Sequence, residues 1–169
     1  MQYEPPFESK DDPRWKLLDA AQARLDAARN QDDIIEIVRT AARNVVSADG
    51  VTFVLRDYSN CHYVEEDAIA PLWKGQKFPM TSCISGWAMM NKKTAVIPDI
   101  FKDARIPHDV YRKTFVKSLV MAPVGFDTAM AAIGAYWRDK PVISAREVSA
   151  VETIARLVGD AMRRTRAAA

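Results

Sequence analysis

The chain has 169 residues, enough for one domain with an ordinary core and too few for two comfortable ones. Its 49% hydrophobic and 27% charged residues are the balance of a soluble globular protein, and its apolar runs fall far short of the roughly 20 residues a bilayer span needs, which excludes a membrane partner of that kind. A net charge of +2 argues against nucleic acid as the main partner, and the cluster Arg163-Arg164-Thr165-Arg166 reads better as a complement to the negative end of a helix.

Residues 1–11 are acidic and carry Pro5 and Pro6, without the basic and apolar regions of a secretory leader, so a flexible N-terminal segment is expected. Two cysteines, Cys61 and Cys83, are too few for a disulfide framework and fit a reducing, cytoplasmic setting. Asp12 before Pro13 is a helix opening, and over 12–29 the apolar residues Trp15, Leu18, Ala21, Leu25 and Ala28 recur at helical spacing. Such a stripe serves either the domain's own sheet or the same helix of a second subunit. A second helix opens near Asn30 or Asp32, places Ile34, Val38, Ala41 and Val45 on one face, and is expected to stop at Asp49-Gly50.

Val51 to Leu55 reads as a strand, Tyr58-Ser59-Asn60 as a turn, and Cys61 to Val64 as the returning strand, with Glu65-Glu66-Asp67 marking its exit to solvent. Residues 68–81 keep neither period and predict a covering loop. Thr81 or Ser82 can cap a short helix to Met90, followed by a strand from Thr94 to Pro98 and a loop with one broken helical turn from Ile100 to Lys113. Ser118 to Val124 and Met130 to Arg138 form a hairpin around a Phe126-Asp127 turn. Ser144-Ala145-Arg146-Glu147 is a capping box, and Val148, Val151, Ala155, Val158 and Met162 then step by three and four in a long final helix.

These elements predict an α+β fold: a central antiparallel sheet of five or six strands, helices from both chain ends on one face, and a cavity under the 68–91 and 99–116 segments on the other. Cys83 precedes a helix start, where a thiolate is stabilised, although a small apolar filler under Trp87 is the plainer reading. Cys61 is expected to be structural, and one Cys61-His62 pair lacks the further ligands of a zinc site, so no metal is expected. Asp99 can cap the turn that follows it, and His108 reads as a solvated loop histidine. Trp73, Trp87, Tyr111, Phe115, Phe53 and Tyr136 form an aromatic complement larger than one sheet face needs. No phosphate-binding loop, dinucleotide fingerprint, zincin motif, nucleophile elbow or histidine-kinase catalytic segment occurs.

Gly86-Trp87, Val96-Ile97-Pro98-Asp99-Ile100, the run Phe115 to Val124 and the run Ile133 to Trp137 resemble, in that order, the GAF domain of bacterial sensor histidine kinases. The resemblance spans roughly residues 30 to 163, within a 30–166 sensory domain that ends in the final helix. It implies a GAF/PAS-like fold and a non-catalytic sensor, with a kinase or other output domain outside this chain. A small-molecule ligand would meet Phe53, Cys83, Trp87, Asp99, His108, Tyr111, Phe115, Met121 and Tyr136. The terminal helices would form a homodimer interface through Trp15, Leu18, Leu25, Val151, Val158 and Met162.

The ligand stays open. Bilin-binding relatives attach their chromophore to a lid cysteine, where this chain has Ile106-Pro107-His108-Asp109 and no thiol, so covalent bilin is not expected. Haem-binding relatives place a histidine in the connection that holds His108, but its spacing to the following strand differs. The Asn-Lys-Phe-Asp-Glu signature of cyclic-nucleotide relatives is missing, as is the lid cysteine of the GAF-type free methionine sulfoxide reductases. Two alternatives stand beside the sensor reading: a ligand-free dimerisation or interaction module, and a thiol-dependent reductase using Cys83 with Cys61 as resolver.

Overall fold

In the computed structural model, which describes residues 4–125 and 128–167, six antiparallel strands form one sheet in the order β3-β2-β1-β6-β5-β4. In chain order the elements are α1 (Arg14–Ala27), α2 (Gln31–Ile37), a π turn (Val38–Ala42), α3 (Arg43–Val46), β1 (Gly50–Asp57), β2 (Asn60–Ala68) and β3 (Lys77–Pro79). A 3-10 turn (Met80–Ser82), α4 (Ile84–Asn91), β4 (Ala95–Ile97), a second 3-10 turn (Ile100–Lys102), α5 (His108–Tyr111), β5 (Ser118–Val124), β6 (Ala131–Trp137) and α6 (Ala145–Ala167) complete it. The expected Phe126-Asp127 turn lies outside the described residues.

Strand alternation divides the core in two. Val51 and Phe53 of β1, Val120 and Ala122 of β5, and Ile133, Ala135 and Trp137 of β6 face α1, α2, α3 and α6. Val54, Leu119, Met121, Ala132 and Tyr136 face α4, α5 and the connections around them. A bulge between Phe53 and Val54 in the β1–β2 pairing absorbs one extra residue of β2, and β2 runs on to Ala68, past the predicted exit at Glu65.

Several local features depart from the periodic reading. The π turn advances the helix phase, so Ala42 is buried where Ala41 was expected. The helix stops at Ser47 in the left-handed conformation (φ 55°), and Gly50 opens β1 instead of ending the helix. The predicted 68–81 loop contains β3, which pairs with the start of β2 through Cys61 and Phe78. The α4 helix starts at Ile84, one residue later than a Ser82 cap and two later than a Thr81 cap would have it; Cys83 holds the cap position.

The helix layer is closed at both ends by long side chains. The segment expected to be flexible is anchored from Glu4 onward: Phe7 is buried edge-on against Trp15, with ring centroids 5.1 Å apart, and Arg146 donates to the carbonyls of Pro5 and Phe7. At the far end Arg164 donates to the carbonyls of Leu25 and Ala28, completing the α1 C-terminus from another helix. The two contacts set α1 and α6 side by side in the same direction. The capping box closes as the sequence expects, Ser144 N–H to Glu147 at 2.6 Å and Glu147 N–H to the Ser144 hydroxyl at 3.3 Å.

Leu18, Leu25, Val151 and Val158 lie inside this layer and are buried in the chain's own core. The apolar stripes are used within one chain, so these four side chains are not available to a second copy. Trp15 and Met162 are half-buried at the margin of the same core.

Candidate functional site

The sheet face opposite the long helices is a cup whose floor is set by one glycine. Gly134 of β6 sits between Thr52 of β1 and Met121 of β5. A Cβ at Gly134 would lie 2.5 Å from the Tyr136 hydroxyl and 2.7 Å from the Met121 methyl, so only a glycine lets Tyr136 fold back across its own strand. The Tyr136 hydroxyl then meets the Thr52 hydroxyl at 2.8 Å. Above this floor Trp73 packs against Tyr136 (centroids 5.5 Å), Tyr111 (4.7 Å) and Tyr63 (5.7 Å). All four rings are buried, and burial is the first cause that pushes the phenols of Tyr63, Tyr111 and Tyr136 up, so they are neutral hydroxyls.

The loop that delivers Trp73 is held by Glu66. Its carboxylate accepts the successive backbone N–H groups of Leu72 (2.8 Å), Trp73 (2.8 Å) and Lys74 (2.7 Å). In the sequence Glu66 stands in an acidic run that marks an exit to solvent; in the structure three converging N–H groups show that the chain's own carboxylate fills an anion-binding turn.

The thiols lie at the rim, where β2 and β3 meet the start of α4. Cys83 Sγ and Cys61 Sγ are 3.1 Å apart in a hydrogen bond, and both cysteines are free. The Ser85 hydroxyl donates to Cys83 Sγ at 3.3 Å and meets the Tyr63 hydroxyl at 3.0 Å. Hydrogen bonding from Cys61, then from Ser85 and the backbone N–H groups of Gly86 and Ser85, lowers the Cys83 thiol to about 6. Cys61 is pushed the opposite way, first by the same hydrogen bond and then by burial. The pair is therefore polarised, Cys83 toward the thiolate and Cys61 toward the thiol. Gly86 allows the close approach: a Cβ there would collide with the Met80 carbonyl.

Of the expected ligand residues, Tyr111, Met121 and Tyr136 come together with Trp73 in the cup, Cys83 lies at its rim, and Phe115 packs half-buried on the same core. Phe53 is the correction: it points to the helix face, because the cup takes Thr52 and Val54 from the alternate positions of β1. Asp99, His108 and Trp87 belong to the lid's structure. The Asp99 carboxylate caps the following turn through Phe101 N–H (3.0 Å) and is half-exposed. His108 Nε2 is bonded to the Asp103 carbonyl (3.0 Å), its ring edge-on to Phe101. Trp87 carries Arg105 over its face at 4.3 Å, and Arg105 is fixed by Asp103 at 2.7 Å.

The hollows described lie on the helix side of the sheet, not among these rings. One of about 410 Å³, lined by Val124, Met130, Gly159, Met162 and Arg163, is remote from the thiols and the ring cluster. Among the described residues no three metal-ligating side chains converge, and no helix is long and apolar enough to cross a membrane.

The sequence profile of the GAF domain matches residues 28–163. Structurally, the chain is similar to free methionine-R-sulfoxide reductase from Neisseria meningitidis, solved with its substrate (TM-score 0.79, 13% identity, 99% of this chain and 100% of that one). It is similar to the GAF domain of an Acinetobacter phosphoenolpyruvate-protein phosphotransferase (TM-score 0.76, 12% identity, 94% and 98% covered). It also resembles the phycoerythrobilin-bound GAF domain of a cyanobacterial phytochrome (TM-score 0.74, 17% identity, 92% and 96% covered). At these identities the likeness establishes the fold alone. No curated protein matches the sequence.

Proposed function

Because this chain belongs to the GAF domain family, we propose that it is a non-catalytic signalling sensor whose cup takes a small molecule and whose terminal helices pass the change to an output such as a histidine kinase. The observation that supports this is where the closing rings are anchored. Trp73 hangs from the loop held by Glu66, and Tyr111 sits on the four-residue helix α5, so neither belongs to the paired strands. An occupant can displace both without unpairing the sheet. The strands β5 and β6 then couple the two faces, since Met121 and Tyr136 in the cup alternate with Val120, Ala135 and Trp137 under the long helices. A ligand moves such an equilibrium only by its difference in affinity between the two packings.

A second reading, a ligand-free dimerisation or interaction module, is favoured by one feature: Trp73, Tyr111 and Tyr136 already pack on one another in the cup. A homodimer built on the terminal helices would use their outward residues, such as the exposed Leu17 and the half-buried Met162, instead of the buried stripe.

Native mass spectrometry with an absorbance spectrum, on protein purified from its own host, separates the two. The sensor reading expects a bound small mass, released when the protein is unfolded. An empty, colourless protein whose melting temperature is unmoved by a metabolite panel supports the interaction module.

A further inference from the structure

The cup and its lid leave the Cys61–Cys83 contact unused, and no role in ligand binding accounts for it. From the geometry we propose that these two cysteines form a reversible redox site that reacts with small peroxides, Cys83 as the attacking thiolate and Cys61 as the resolving thiol. This stands independently of whether the cup takes a ligand.

Three observations carry it. The sulfurs are already 3.1 Å apart, so they need to close by only about 1 Å to reach the disulfide bond length of ~2.05 Å. The two cysteines are unequal in access: Cys83 keeps 7% of its surface open and Cys61 has none, which fixes the order of attack. The surroundings also polarise the pair, because Cys83 faces the Ser85 hydroxyl and the first N–H groups of α4 while Cys61 is buried in the β2–β3 pairing.

In the first step the Cys83 thiolate attacks one oxygen of hydrogen peroxide. An S–O bond forms, the O–O bond breaks, and the departing hydroxide takes up a proton to leave as water. Cys83 is now a sulfenic acid, oxidised by two electrons. Cys61 then attacks the Cys83 sulfur: the S–S bond forms, the S–O bond breaks, and the hydroxide leaves with the Cys61 proton as a second water. Two thiols and one peroxide thus give a disulfide and two waters. An external dithiol returns two electrons and two protons by thiol–disulfide exchange. The bond would tie β2 to the cap of α4. The Gly86–Met80 approach leaves no slack there, so oxidation would lock α4 against the sheet edge.

The test is intact-mass and peptide mapping of the full chain, titrated with hydrogen peroxide and then alkylated. The expected result is loss of both alkylatable thiols, a mass decrease of two hydrogens in a single chain, and a Cys61–Cys83 linked peptide that dithiothreitol dissolves. In Cys61→Ser the reaction should stop at a Cys83 sulfenic acid trapped by dimedone. Two results overturn the proposal: both thiols surviving peroxide that oxidises free cysteine, or the wild-type chain accumulating sulfinic acid at Cys83 with no linked peptide. Both are read on wild-type protein, so a variant that fails to fold does not blunt the test. A missing cup ligand would leave the outcome unchanged.

Discussion

The latch at Glu66 offers the sharpest quantitative test of how the cup is closed. Glu66→Gln keeps the size of the side chain but removes its charge and turns one of its two acceptors into a donor. In the native protein one carboxylate oxygen accepts from Leu72 and the other from both Trp73 and Lys74, at 2.7–2.8 Å. However the new amide is turned, at least one backbone N–H then faces another donor. Hydrogen bonds to charged groups contribute about 1.5–3 kcal/mol and neutral ones about 0.5–1.5 kcal/mol. The Lys74 N–H is exposed and is discounted, which leaves a loss of about 2 kcal/mol from the Leu72 and Trp73 bonds. That is a ~30-fold rise in the opening equilibrium of the loop. Native-state hydrogen exchange should show it at the amides of residues 72–74, with the β5–β6 ladder changed much less. Asp67→Asn, which removes only a partly exposed pair with Arg43, is the control and should change stability by under about 1 kcal/mol. Exchange at 72–74 within threefold of wild type would refute the assignment of Glu66 as the latch.

Four other substitutions or titrations probe the remaining supports. Tyr136→Phe strands the buried Thr52 hydroxyl and should cost about 1–3 kcal/mol in urea unfolding; a neutral result means Thr52 finds another partner. Gly86→Ala drives a methyl into the Met80 carbonyl and should cost about 1–3 kcal/mol or more, with Cys61 and Cys83 no longer crosslinking on oxidation; unchanged stability and crosslinking would contradict the packing. Ser144→Ala opens the capping box of α6 and should cost about 1 kcal/mol by thermal or chemical melting. Alkylation of Cys83 should rise through an inflection at about pH 6, set by Cys61 and Ser85 beside it, with the neutral Tyr63, Tyr111 and Tyr136 in the cup and Arg56 acting on Cys61. The sign follows from a depressed acid: its stabilisation is present above the unfolded thiol value of 9.0 and is lost as pH falls through about 6. An inflection at the ordinary thiol value would remove the thiolate from the site.

What the chain discloses in advance depends on how local the cause is. Helix starts written by neighbouring residues, Asp12 before Pro13 and Ser144 with Glu147, are legible because cap and capped group lie within three positions. The hairpin of β5 and β6 and the two-faced sheet follow from alternation. The Phe53 assignment failed by one residue of that same alternation, since which face meets the cup depends on strands far away in sequence. The π turn shifts Ala42 inward without any breaker residue to announce it. Glu66 was unreadable because a run of three acidic residues looks like a solvated exit, and its acceptors are used only when residues 72–74 fold back over β2. The proximity of Cys61 and Cys83 had the same non-local origin: it exists because β3 returns along β2 and sets α4 at the rim.

The parallel placement of α1 and α6 determines how the molecule bears load. Arg146 grips the incoming chain near the start of α6, and Arg164 ties the close of α1 to the last turns of that helix. The chain thus enters at one end of a 23-residue helix and leaves at the other, about 35 Å apart at 1.5 Å per residue. Tension between the two ends would slide one helix along the other, shearing the whole seam at once instead of peeling it turn by turn.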